Sequence, residues 1–148
     1  MANWYGTARS NYFAVKDEAA FRAWAGKRGL QVWEEKEEKP AEGKEPRKLF
    51  GVAPDGFAND SGGWPSVDFE ADDDHAEIDL VADLAELIQD DQIVVLEQVG
   101  SEKLRYINGH ATAFNSAGKR IDVDLDDIYR IAAKRFKVPE ASISLCSY

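Results

Sequence analysis

Four acidic residues, Asp79, Asp83, Glu86 and Asp90, recur three and four positions apart. On a helix that spacing sets them along one side, where a four-residue step advances about 6 Å along the axis. Duplex DNA carries a phosphate about every 3.4 Å along each strand, so such a row is sparser than phosphate by less than about twofold. The acids Asp68, Glu70, Asp72, Asp73 and Asp74 extend the row upstream. Its chemistry would be electrostatic. It could occupy an Arg- and Lys-lined groove in place of nucleic acid and be steered there by long-range attraction. Trp64, beside Pro65 in a Gly-rich polar loop, is the apolar candidate next to this row. Exposed, it would anchor a partner interface; folded back, it would lid the core.

Motifs for bond-making chemistry are incomplete. Asp122-Val-Asp124-Leu-Asp126 matches the first three ligands of a calcium loop, but the sixth position is Asp127 where Gly is needed, and the twelfth is Ala133 where a bidentate Glu belongs. A strand end followed by a helix cap accounts for it. His75-Ala-Glu77 is half of a zinc deaminase signature without the Pro-Cys-x-x-Cys half. With only His75, His110 and Cys146 beside the carboxylates, no zinc site is expected. No nucleophile elbow, phosphate-binding loop or dinucleotide fingerprint occurs. No catalytic residue, metal ligand or cofactor is therefore assigned, and the chain reads as a non-enzyme.

The charge is segregated. The 148 residues carry a formal charge of −10 at pH 7. No Lys or Arg lies between Lys48 and Lys103, and residues 49–102 hold fifteen acids. Residues 1–48 have ten bases against eight acids, and residues 103–148 have eight against five. The negative balance argues against direct binding to nucleic acid or to an anionic membrane, and favours a basic protein surface. One cysteine rules out an intrachain disulfide and fits a reducing compartment. No apolar run is long enough to span a bilayer, and Met1 to Ser10 lacks a signal-peptide core. The expectation is a soluble protein of the bacterial cytoplasm.

Positioning these residues requires a scaffold. A first strand is expected over Asn11 to Lys16, then a helix over about 17–28 capped by Asp17, with Ala20, Phe21, Trp24 and Ala25 on one face. Leu30 to Trp33 reads as a strand, with Trp33 in the core, and Leu49 to Ala53 as its return. Residues 34–48, with six Glu and five Lys or Arg, read as a mobile charged excursion. Val67 to Ala71 suits a short edge strand. The apolar stripe Leu80, Val81, Leu84, Leu87, Ile88 predicts a helix over about 77–91. Asp90 and Asp91 then sit at its unfavourable end. Residues 92–124 read as a three-strand meander turning at Gly100-Ser101 and Ser116-Gly118. A third helix follows over about 126–137, capped by Asp124 or Asp126, with Ile128, Ile131, Ala132 and Phe136 inward. A last strand is expected over Ile143 to Cys146. The pattern is a single α+β domain, helices on one face of a mostly antiparallel sheet.

Size, acidity, this plan and the residues of 49–102 together resemble the small acidic accessory proteins of bacterial phages and plasmids, the anti-CRISPR and anti-restriction class. The opening Asn3-Trp-Tyr-Gly-Thr-Ala-Arg-Ser-Asn-Tyr-Phe is similar to openings of mobile-element proteins. The resemblance implies an inhibitor that presents an acidic, nucleic-acid-like face to a nuclease or Cas complex. The partner-binding residues would be Asp68, Glu70, Asp72, Asp73, Asp74, Asp79, Asp83, Glu86, Asp90 and Trp64. The same electrostatics would suit an immunity protein neutralising a basic nuclease toxin. A small enzyme or ligand-binding protein with its pocket near Trp64 is the third reading.

Overall fold

The computed structural model describes residues 4–55, 63–68, 76–102 and 106–146. In chain order the elements are β1 (Trp4–Ser10), α1 (Glu18–Lys27), β2 (Leu30–Lys36), β3 (Lys48–Pro54), β4 (Val67–Asp68), β5 (Ala76–Glu77), α2 (Leu80–Leu87), β6 (Ile93–Glu102), β7 (Tyr106–Asn115), β8 (Arg120–Asp124) and α3 (Asp127–Phe136), followed by a 3-10 turn at Glu140–Ser142. The fold is α+β. A four-stranded antiparallel sheet runs β1-β6-β7-β8, beside a β2-β3 hairpin and a minimal β4-β5 pair.

Strand β6 is the centre of the larger sheet because its residues alternate. Val94 and Leu96 are buried, while Ile93, Glu97 and Val99 are exposed. Val94 lies opposite Phe114 in β7, so both enter one core. Phe13 from the segment after β1, Phe21 of α1, Phe50 of the hairpin, Leu84 of α2 and Ile88 just after it complete that core. Phe21 of α1 is its hub, with ring centroids 5.8 Å from Phe13 and 5.2 Å from Phe50.

The first strand lies earlier than the expected Asn11 to Lys16. In β1, small residues face inward (Gly6, Ala8, Ser10), so the segment lacks an apolar stripe. Asn11 ends the ladder with its side chain: Nδ2 donates to Ile93 O at 2.9 Å and Oδ1 accepts from Val95 N at 2.8 Å. Phe13 and Val15 then make single bridges, to Phe50 and Ile88. The charged excursion is also shorter than 34–48. Glu34, Glu35 and Lys36 continue β2 opposite Phe50, Leu49 and Lys48. Glu34 pairs there with Arg22 of α1 and with Lys48, so its charge is met across the hairpin. Trp33 is partly exposed rather than core, with the Arg9 guanidinium 5.1 Å above its ring.

Helix α2 spans eight residues, not fifteen. Glu77 belongs to β5, Asp79 caps the helix, and Ile88 is extended. The meander holds, but β6 and β7 pair through Gly100 and Ser101, so no turn lies there. Gly118, at φ +76°, makes the turn into β8. Asp124 and Asp127 cap α3 reciprocally, each carboxylate accepting the other's backbone N–H, at 2.8 and 3.1 Å. The expected inward face of α3 is exposed, because the helix does not lie on the core. Ile143 to Cys146 forms no strand; it follows the 3-10 turn, and Cys146 N donates to Tyr129 Oη at 2.7 Å. No helix among the described residues is long and apolar enough to cross a membrane.

Candidate functional site: the acidic side of the second helix and the Trp64 cleft

The sequence places the carboxylate row on α2, and the structure divides it by role. Asp79 is the N-cap: its Oδ1 accepts from Ala82 N at 3.0 Å. Asp83 turns toward α1, where Trp24 Nε1 donates to its Oδ2 at 2.9 Å and Arg28 Nη2 at 3.3 Å. Glu86 is exposed on the solvent side. Asp90 lies beyond the helix, 86% exposed, 3.6 Å from the Lys16 ammonium. Glu77 and Glu97 are also exposed. Asp68 is in β4, opposite Ala76. Glu70, Asp72, Asp73 and Asp74 lie outside the described residues, as does His75.

Asp91 was singled out only as an unfavourable charge at a helix end, yet it has a specific partner. Arg47 Nη1 donates to both Asp91 carboxylate oxygens, at 2.9 and 3.0 Å, and to Gln89 Oε1 at 2.9 Å. The same guanidinium grips Glu37 through Nη2 at 2.8 Å and Nε at 3.2 Å. Hydrogen bonds from Arg47 hold the Glu37 carboxyl below its usual range. The guanidinium therefore ties the charged hairpin loop to the end of α2. No spacing signal in the sequence joins residues 37, 47 and 91.

Trp64 lines the wall of a cleft of about 460 Å³ shared with Ile78, Leu80, Leu96, Gln98, His110 and Arg120. The half-buried indole packs against the core, and its backbone N–H donates to Gln98 Oε1 at 3.1 Å. Its ring nitrogen is buried and has no hydrogen-bond partner among the described residues. Across the cleft, Thr112 Oγ1 donates to Asp122 Oδ1 at 2.6 Å, which leaves that hydroxyl to accept from His110 Nε2 at 3.0 Å. Arg120 holds Asp122 with Nη2 at 2.7 Å and Nε at 2.9 Å. The Arg120 guanidinium and then the Thr112 hydroxyl keep the Asp122 carboxyl far below the usual range. A threonine, a histidine and an aspartate thus meet, but in the wrong order for nucleophilic catalysis. The hydroxyl proton points at a weakly basic carboxylate rather than at the imidazole. The arrangement is a cross-strand polar cluster of β7 and β8.

Comparison with family models, curated proteins and solved structures finds no match to this chain.

Proposed function

We propose that the chain is a non-enzymatic inhibitor carried by a mobile genetic element. Its target would be a bacterial defence nuclease complex, CRISPR–Cas or restriction, engaged at the basic groove that normally holds nucleic acid. One observation carries the reading: Glu77 and Glu86 are solvent-exposed, and Asp90 is 86% exposed beside Lys16, within a 54-residue stretch that contains no Lys or Arg. Acids crowded in one stretch repel one another, and a basic groove relieves that repulsion. Asp79 caps the helix and Asp83 ties it to α1, so substitutions there disturb the scaffold and make poor probes of binding.

The test is inhibition of DNA cleavage by a panel of purified CRISPR–Cas and restriction nucleases. Inhibition of one of them should weaken as salt rises. The triple variant Glu77→Lys, Glu86→Lys, Asp90→Lys should lose at least about tenfold in potency with its circular dichroism unchanged. A triple variant as potent as the parent removes the acidic surface from the mechanism.

A second reading rests on the Trp64 cleft, whose buried indole N–H has no acceptor among the described residues. A small ligand with an acceptor oxygen would satisfy it, and saturable quenching of tryptophan fluorescence, lost in Trp64→Phe, would support that reading.

A further inference from the structure

Helix α3 is amphipathic, yet its apolar side is bare. Ile128, Ile131 and Phe136 share that side at helical spacing, and they are 58%, 48% and 73% exposed. No residue of the helix is buried, and its main packing among the described elements is with the short turn at Glu140–Ser142.

A second bare surface lies on the four-stranded sheet. Strand alternation puts Tyr5, Val99, Ile107, Ile121 and Val123 on the face opposite Val94, Leu96 and Phe114, and each is exposed. They continue into a shallow hollow of about 500 Å³ at Tyr5, Val99, Ile107 and Leu125. Leu125 lies over Gly109, where an added Cβ would come within 2.9 Å of its Cγ. Glycine there lets the leucine settle onto the sheet.

An amphipathic helix without a sheet and an apolar sheet face without a helix are the two halves of one layer contact. We propose that they meet between two copies of this chain, α3 of each lying on the outer sheet face of the other about a twofold axis. Charge fits this occupant. Helix α3 and its C-cap carry Arg130, Lys134, Arg135 and Lys137 against one acid, Asp127 in the first turn. On the receiving face β6, an inner strand, presents Glu97, and Arg9 of β1, opposite it in the register, is turned over the Trp33 ring. Position fits as well: β8 is the end strand of the sheet, and α3 follows it directly at that rim. At on the order of 100 Å² per exposed large apolar side chain, these residues offer about 800 Å² per copy, the half-area of a stable complex.

The full chain should sediment as a dimer at micromolar concentration. Ile131→Glu with Phe136→Glu on the helix, or Ile121→Glu on the sheet, should raise the dimer dissociation constant at least about 100-fold. All three side chains are exposed in the protomer, so circular dichroism should stay unchanged. A second measurement fixes the geometry. In a Cys146→Ser background, chains bearing Ile131→Cys are mixed with chains bearing Val99→Cys and treated with a short bis-maleimide, and a mixed cross-link should form. A parent chain that stays monomeric at about 100 µM overturns the proposal. So does a dimer that survives both sets of substitutions, or the absence of the mixed cross-link. A monomer that binds a host protein or liposomes and loses that binding in Phe136→Glu also overturns it, by assigning the face to another occupant.

Discussion

The Trp24 indole of α1 donates its N–H to the Asp83 carboxylate of α2 at 2.9 Å, and Arg28 reaches the same oxygen at 3.3 Å. The two core helices are thereby joined by a half-buried charge-assisted contact rather than by apolar packing alone. Asp83→Ala should lower unfolding stability by about 2 kcal/mol, measured by urea titration. Asp83→Asn, which still accepts from the indole, should lose less. If Asp83→Ala unfolds at the parent midpoint, the contact does not hold the helices together.

Acid should weaken the fold through Asp122 and Glu37. Both carboxyls titrate lower in the folded chain than unfolded, Asp122 because of Arg120 and then Thr112, Glu37 because of Arg47. A depressed carboxyl contributes stability in full above its unfolded value of about 4, and loses it as pH falls toward the folded value. The urea midpoint should therefore decline from about pH 5 downward. Asp122→Asn should start lower and decline less steeply. Parallel acid limbs in the two proteins would contradict this.

Arg47→Ala should release the loop between β2 and β3. It removes the paired hydrogen bonds to Glu37 and those to Asp91 and Gln89. The guanidinium is partly exposed, so the loss in global stability should be no more than about 2 kcal/mol. The larger effect should be local: faster amide exchange in the loop while β6 and β7 stay protected. Uniform acceleration across the chain would mean that the hairpin loop does not open separately.

Phe21→Ala should be the severest single truncation among these. The ring is fully buried between Phe13, Phe50 and Trp24. A loss of about 3–5 kcal/mol in urea unfolding is expected from the vacated volume and the lost transfer energy. A loss under about 1.5 kcal/mol would mean that the neighbouring rings close the cavity.

The helices and the meander were legible in the sequence because their signals are local: Asp17 before α1, the apolar run of β6, the Ser116-Ala-Gly118 turn, the acids before α3. The misplaced first strand has a physical cause. Tyr12 to Val15 is the richer apolar run, but Asn11 diverts it from the large sheet to single bridges, whereas β1 is held by small residues at its inward positions. The over-long second helix has another. Its apolar stripe runs on through Ile88, but Val15 takes Ile88 in extended form. At the candidate site, charge composition marked the region but not the roles. Which carboxylates are occupied depends on Trp24, Arg28 and Arg47, all distant in sequence. Periodicity likewise groups Ile128, Ile131 and Phe136 on one side of α3 without saying what, if anything, lies over that side.

The register between Trp4 in β1 and Glu102 in β6 has a consequence for synthesis. As the chain leaves the ribosome, its first strand emerges long before the strand that receives it. The core cannot close until Phe114 follows. The chain from β1 through Phe114 must thus be translated before that core can close, and β1 waits unpaired until β6 follows. A nascent chain stalled before β6 would hold α1, α2 and the hairpin, with β1 still waiting for the strand that pairs with it.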